Sequence, residues 1–249
     1  MTAIINIYDD HEVRDGSCFL FACVYRIFKF VNNYVGNGED ISPYQNASAA
    51  YNIYAGYANY DPVHPGQSFF TFQHGDVAFF VMDTRRFRSS PRDPDLSFRT
   101  MLGHEQWMAL HEWLGVVNGT SSFKFVVSSV PFTSLWAYDG GDTWAAYQLE
   151  KASLLEAFHS VPNVVIISGD RHQFAVIEFN HPDAKYGHVV REVSTSPLSM
   201  FSIPFVRTLR TQSNLTFTRN VTVAENITAM IEVPYEQTIA YIPAGNSKW

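Results

Sequence analysis

The stretch VVIISGDRHQFAVIEF, Val164–Phe179, contains two apolar runs separated by a short polar loop. Its first half is rich in β-branched residues and ends at a glycine, which predicts a buried strand followed by a sharp turn. Gly169 lets the backbone turn there without a Cβ in the way. The polar side chains of Asp170, Arg171 and His172 come next. The stretch therefore predicts a functional site at the end of a buried strand.

The segments before this stretch predict a parallel sheet. FKFVVSS (123–129) predicts a strand, and Asp142 or Thr143 can cap a helix that runs to about Phe158. The strand NVVIIS (163–168) follows, so the three segments form a βαβ unit with a right-handed crossover and parallel, buried strands. The loops at the carboxyl ends of such strands meet at one edge of the sheet, where open α/β sheets bind their ligands.

The rest of the chain predicts one domain over residues 1–249 without internal repeats. SFFTFQHGDVAFFVMD (68–83) predicts two strands joined at a His-Gly turn, and HEQWMALHEWLGVV (104–117) predicts an amphipathic helix. Residues 32–67 are rich in Asn, Gly, Tyr and Pro and lack helical periodicity, so they are expected to form a long surface excursion. Short apolar runs after residue 174 predict further strands, mainly antiparallel.

Composition restricts the class of partner. The chain has 249 residues, of which 46% are apolar, so it can bury a sizeable core. The formal charge of -7 is spread without long runs, which argues against a nucleic-acid-binding or anionic-membrane surface. The longest apolar stretch, Ser17–Val31, is interrupted by Arg26 and Lys29 and is shorter than the ~20 residues of a membrane span, so no transmembrane segment is expected. The oligomeric state stays open.

The compartment is not decided by the sequence. Cys18 and Cys23 form neither a disulfide framework nor a CxxC metal motif, and the first ten residues lack the features of a secretory signal peptide. Five Asn-x-Ser/Thr sequons lean weakly toward the secretory pathway. The sequons begin at Asn46, Asn118, Asn214, Asn220 and Asn226.

The GDRH loop carries the residue types of a metal site. Asp170 and His172 are two positions apart, so on an extended segment both side chains point to the same side. A carboxylate beside an imidazole suits a divalent or trivalent metal ion, or a pair of ions that share the site. The alternative is that Asp170 pairs with Arg171 and that His172 caps a turn.

A second loop of the same design is DDHE, residues 9–12, which follows the short apolar run INIY (5–8). Asp9 or Asp10 could bind a metal ion, while His11 could donate a proton to a leaving oxygen or form a hydrogen bond to a phosphoryl group. The alternative is a solvated strand end. The spacing of a zinc-protease HExxH motif is absent.

DTRRFR, Asp83–Arg88, concentrates three arginines after a predicted strand. Arg85 and Arg86 could hold an anionic substrate, or the arginines could pair with Asp83 and surface acids. SSVPF (128–132) places two hydroxyl groups at the end of another strand, but the GxSxG elbow of serine hydrolases is absent.

These segments together resemble one family. DDHE, GDVAFFVMDTRRFR, LGHEQWMALHEWL, FKFVVSSVPF, DTWAAYQLEK, VVIISGDRH and EVSTSPLS are similar, in this order, to the PhoD-like branch of the calcineurin-like metallophosphoesterases, of a fungal type. The resemblance implies a layered α/β/β/α fold with a dinuclear metal centre at the strand edge. It implies hydrolysis of small-molecule phosphate esters, mono- or diesters, by a metal-bound hydroxide.

The resemblance also implies roles for single residues. Asp10, Asp170 and His172 match metal ligands, and His11 matches a histidine that contacts the phosphate during catalysis. Arg85 and Arg86 are assigned to support or substrate contact. Metal identity stays open, because carboxylate and imidazole ligands accommodate iron, calcium, zinc or manganese.

Two features depart from the family pattern. The family's earlier metal motifs lie upstream of the DDHE loop, whereas only eight residues precede Asp9, so the amino-terminal part of the domain is expected to be missing. Deleting residues 14–31 gives DDHEVNNYVG, which restores a family-like continuation, so this segment is interpreted as a translated intron.

These departures leave alternatives to the hydrolase. One is a catalytically inactive fragment or binding glycoprotein that retains the fold. The other is a different metal hydrolase that uses the same ligands.

Overall fold

The computed structural model describes residues 7, 35–38, 44–136, 141–170, 175–181 and 187–195, and the backbone of two further strands at 212–223 and 227–240. These residues form a mixed α/β fold, which confirms the predicted class. The DDHE loop, segment 14–31 and residues 171–174 lie outside the described residues.

The described part of the chain contains three α-helices, α1 (Tyr44–Tyr54), α2 (Gly103–Asn118) and α3 (Gln148–His159). Short 3-10 helices occupy Gly56–Ala58, Leu96–Phe98 and Trp144–Ala146. The strands are β1 (Phe70–His74), β2 (Val77–Val81), β3 (Phe123–Ser128), β4 (Val164–Ser168), β5 (Ala175–Asn180), β6 (Val190–Ser194), β7 (Gln212–Val223) and β8 (Ile227–Ala240).

All eight strands belong to one sheet with the order β1-β2-β3-β4-β6-β5-β8-β7. The central strands β2, β3, β4 and β6 are mutually parallel, and the remaining pairs are antiparallel. Helix α2 connects β2 to β3, and α3 connects β3 to β4. The predicted βαβ unit and the predicted hairpin before it are therefore confirmed.

One face of the parallel strands forms the core. Phe80, Val126 and Ile166 lie on this face and are fully buried, together with Leu110 of α2 and Leu154 of α3. Each such side chain contributes roughly 1.5–3 kcal/mol through removal from water. Because side chains alternate along a strand, the intervening residues face the opposite side of the sheet, where they are half-buried.

Helix α1 was not predicted by the sequence analysis, which expected no helix in residues 32–67. Its residues, YQNASAAYNIY, contain three alanines, which favour helix, but no apolar stripe. Only Tyr44 and Ala47 are buried, because the helix lies on the surface. Hydrophobic periodicity detects helices that cover a core, so it misses a helix of this kind.

The predicted helix after Asp142 is confirmed with a different start. Thr143 caps a 3-10 turn, Trp144–Ala146, and its hydroxyl accepts a hydrogen bond from the backbone N–H of Ala145 at 3.3 Å. Helix α3 begins only after that turn, at Gln148. Elsewhere, none of the helices in the described ranges has the length and apolar character of a membrane span.

Candidate active site at the carboxyl edge of the sheet

Four parallel strands end at the same edge of the sheet. Strand β2 ends at Val81, β3 at Ser128, β4 at Ser168 and β6 at Ser194. The register pairs Val81 with Val127, and Ser168 with both Ser128 and Ser194, so the strand ends are level. The polar loops after these strands therefore begin side by side.

Direct contacts join these loops. The hydroxyl groups of Thr84 and Ser129 are 2.5 Å apart, which connects the loop after β2 to the loop after β3. A Cβ on Gly169 would lie 3.4 Å from the carbonyl oxygen of Ser129, so the loop after β4 packs against the same segment. The backbone N–H of Thr195, after β6, donates to the carbonyl oxygen of Ser168 at 2.8 Å. Buried polar contacts therefore hold the loops of this edge together.

Asp170 lies at this edge in an unusual backbone conformation. Its φ of 71° falls in the left-handed region, which costs energy for a residue with a side chain, although Asp tolerates it better than most. Such conformations cluster at functional sites, where the surrounding structure holds them. A half-buried carboxylate held this way at the end of a buried strand fits the predicted metal ligand.

The other predicted ligands fall outside the described residues. These are Asp10 and His172, and the predicted catalytic residue His11 lies outside them as well. Within the described ranges, no group of three His, Cys, Asp or Glu side chains is arranged to hold a metal ion. The convergence of Asp10, Asp170 and His172 stays a prediction.

Asp83 organises the loop after β2. Its side chain accepts hydrogen bonds from the backbone N–H groups of Arg85 at 2.9 Å and Arg86 at 3.0 Å. Gln106 of α2 bonds to both the N–H and the carbonyl oxygen of Asp83, at 2.8 and 2.7 Å. Burial raises the pKa of Asp83, and the two backbone N–H groups oppose that shift. Asp83 therefore supports the backbone of the arginine loop.

Arg85 and Arg88 point into the protein and share one carboxylate. The Nη1 and Nη2 atoms of Arg85 donate to the two carboxylate oxygens of Asp142 at 2.6 and 3.1 Å. Arg88 donates to the same carboxylate and, at 2.7 Å, to the carbonyl oxygen of Asp142. Both arginine side chains are almost completely buried. The sequence analysis weighed Asp142 as a helix cap and did not identify it as the partner of these arginines.

Arg86 is the more accessible of the two arginines predicted to contact substrate. It is half-buried, and its Nη1 atom donates to the carbonyl oxygen of Gly66. It also lines a surface cavity beside α1. The geometry therefore favours Arg86 over the buried Arg85 for a contact with an anionic substrate.

Glu192 is a buried residue near the site that the sequence analysis missed. Its Oε1 atom accepts hydrogen bonds from the N–H of Phe132 at 2.8 Å and the hydroxyl of Ser168 at 2.6 Å. Its Oε2 atom accepts from the N–H of Thr133 at 2.8 Å. It therefore ties the loop after β3 to the last residue of β4, immediately before Gly169.

Lys151 of α3 lies close enough for its charge to affect the pKa of the Glu192 carboxyl group. Burial raises the pKa of Glu192 and lowers that of Lys151, while the attraction between their charges opposes both shifts. The Nζ atom of Lys151 donates to the hydroxyl of Ser134 at 2.7 Å. A signal was present in the sequence: alternation along VREVS places Glu192 on the same face as Val190 and Ser194.

Comparisons with known proteins point to one family. The family model described as PhoD-like phosphatase matches residues 1–236. A solved structure, the crystal structure of a dimetal phosphatase from Danio rerio, is similar with 14% sequence identity and a TM-score of 0.37. That similarity covers 52% of this chain and 49% of the other, so the chain spans about half the length of that structure. No curated protein matches the chain significantly.

Proposed function

Because the chain belongs to the PhoD-like phosphatase family, we propose that it is a metal-dependent hydrolase of phosphoric esters whose active site lies at the carboxyl edge of the sheet. The observation that carries the location is the position of Asp170. It follows the buried strand β4, holds a left-handed backbone conformation and is the neighbour of Gly169, which packs against the loop after β3.

In this proposal Asp10, Asp170 and His172 hold a dinuclear metal centre. Such a centre, when bound, supplies an activated water and neutralises the charge that develops on the phosphoryl group. The neutral imidazole and the ionised carboxylates are the protonation states that bind metal, so affinity is expected to fall in acid.

The remaining residues act on the ester itself. His11 donates a hydrogen bond to the phosphoryl group or a proton to the leaving oxygen. The guanidinium of Arg86 attracts the phosphate and orients it, since guanidinium and phosphate can form two parallel hydrogen bonds. Small esters, either monoesters or diesters, are the proposed substrates.

Asp170 provides the test. Wild-type protein is expected to hydrolyse 4-nitrophenyl phosphate or its bis ester with metal bound, as measured by elemental analysis of the same sample. Asp170→Ala is expected to lower kcat/KM by at least about 100-fold and to lower the metal content, because a carboxylate ligand is lost.

Asp76→Asn is the matched control. Asp76 is an exposed aspartate in the turn between β1 and β2, at the opposite end of the sheet from Asp170. If wild-type protein binds no metal and hydrolyses neither ester, the proposal fails in favour of a binding protein that retains the fold. Equal activity in Asp170→Ala and Asp76→Asn would contradict the assigned site.

A further inference from the structure

A cavity of about 430 Å³ lies beside Arg86, between helix α1, the 3-10 turn Gly56–Ala58 and the segment before β1. This volume is within the ordinary range of small-molecule sites. Most of its lining comes from aromatic and amide side chains. They include Tyr44, Tyr51, Tyr57, Tyr60, Asn52 and Asn59.

The cavity shares one residue with the loops at the carboxyl edge of the sheet. Arg86 lines it and belongs to the loop after β2, two residues beyond Thr84. The hydroxyl of Thr84 contacts that of Ser129, and Ser129 packs against Gly169, the neighbour of Asp170. An ester with its phosphate near Arg86 could therefore extend its organic group into the cavity.

The lining is suited to a flat ring. Tyrosine rings offer stacking faces, and amide side chains both donate and accept hydrogen bonds. Arg86 is the single charged side chain among the described residues that line the cavity. Tyr60 stacks on Phe72 at 4.5 Å between ring centroids, and Phe72 stacks on Phe79 at 4.4 Å. One wall is therefore held in place before any ligand binds.

Gln67 has a side chain that is fixed by a hydrogen bond. Its Nε2 atom donates to Glu105 at 2.7 Å, which sets the orientation of the amide. Its Oε1 atom is buried and, among the described residues, receives no hydrogen bond. Gln67 also lines the cavity.

We infer that this cavity binds the ring of a phosphate ester and that the ring is planar and aromatic and carries hydrogen-bonding groups that meet the amide side chains of the lining, as a nucleobase does. The part of the inference that concerns the phosphate group rests on the proposed function. The substrate class is then nucleoside phosphates, with the base in the cavity and the phosphate between Arg86 and the metal site.

Binding of adenosine tests whether the cavity recognises the ring, and it requires no hydrolysis. The dissociation constant is measured for the full chain as purified by ligand-observed NMR. Tyr57 lines the cavity and is 80% exposed, whereas Tyr54 is 89% exposed and does not line it, so neither tyrosine supports the fold. Tyr57→Ala is expected to raise the dissociation constant about tenfold through lost stacking, and Tyr54→Ala by less than twofold.

Asn52→Leu tests the polar contacts of the ring with the amide side chains of the lining. It is expected to weaken adenosine several-fold while leaving 4-nitroanisole, an aromatic ring without a donor, unchanged. Ribose that binds as tightly as adenosine, equal effects of Tyr57→Ala and Tyr54→Ala, or no binding of adenosine to the wild type would each overturn the inference.

Hydrolysis separates this inference from the proposed function. The wild type is expected to prefer adenosine 5′-monophosphate to β-glycerophosphate by at least about tenfold in kcat/KM, and Tyr57→Ala is expected to remove the preference. Equal hydrolysis of both esters would overturn the inference and leave the phosphatase intact. If adenosine binding depends on Tyr57 but neither ester is hydrolysed, the proposed phosphatase function would be contradicted and the inferred ring-binding cavity would be supported.

Discussion

Arg85 and Asp142 are separated by 57 positions in the chain and form a buried two-point ion pair. Arg88 binds the same carboxylate, so two guanidinium groups share one aspartate. The pair joins the loop after β2 to the segment that leads into α3. It therefore fixes the loop that carries Arg86.

Asp142→Ala is expected to destabilise the protein by about 3–5 kcal/mol, because it removes the carboxylate that two buried arginines share. Urea unfolding measures the change. The control is Glu178→Gln, which breaks the Arg191–Glu178 pair, where the two side chains are 53% and 38% exposed. A loss of about 0–1 kcal/mol is expected there. Equal losses in the two variants would contradict the structural role of Asp142.

Glu150 is expected to make stability fall as pH rises. Its carboxylate accepts hydrogen bonds from Thr100, Met101 and Leu102 at the start of α2, and burial raises its pKa to about 7. Because the folded state holds this proton more tightly than the unfolded state, the contribution is complete below the ordinary pKa of 4.5 and is lost as pH passes about 7.

The measurement compares wild type with Glu150→Gln in urea at pH 5 and pH 8. The difference between the free energies of unfolding of the two proteins is expected to change by up to about 3 kcal/mol across this pH interval, because the wild type loses more stability. The comparison isolates Glu150 from buried histidines such as His159, whose burial lowers the pKa and gives the opposite dependence. Parallel curves for the two proteins would refute the prediction.

Gly36 is expected to resist substitution, since a Cβ there would overlap the carbonyl oxygen of Arg86. The N–H of Gly36 also donates to the carbonyl oxygen of Arg85 at 3.2 Å. Gly36→Ala is expected to displace the arginine loop and to cost roughly 1–3 kcal/mol, read as a lower Tm. Gly115→Ala is the control: this exposed glycine in α2 has open space around its Cβ position, so a gain of about 0.5–1 kcal/mol is expected.

Glu192 and Lys151 are expected to be energetically coupled. Glu192→Gln or Lys151→Met alone leaves a buried charge with less compensation, so each is expected to cost about 3 kcal/mol or more. The double variant is expected to lose less than the sum of the two, with an interaction energy of about 0.5–3 kcal/mol in urea unfolding. Strict additivity would show that the two charges do not interact.

The order of elements from β1 to β6 was predictable because it is encoded locally. The apolar runs at 70–81, 123–128 and 164–168 have strand length and β-branched or aromatic content, and the helices between them carry a buried face. The parallel arrangement followed from the crossover rule. The edge that receives Asp170 and Arg86 was therefore predictable before any contact was known.

Helix α1 and the pairing of the buried charges were not predictable in the same way. Helix α1 covers no core, so its sequence has no periodic apolar face. The identity of a buried partner depends on which distant segments approach one another: Asp142 meets Arg85 across 57 positions, and Glu192 meets the N–H of Phe132 across 60.

The amino-acid sequence by itself determined the family, the α/β class and the residue types at the sheet edge, because motif order and hydrophobic periodicity are properties of short segments. Tertiary structure alone decided that Arg85 turns inward to Asp142 while Arg86 stays half-exposed beside a tyrosine-lined cavity. The physical reason is desolvation: a buried guanidinium needs a carboxylate within hydrogen-bonding distance, and only the folded chain brings one there.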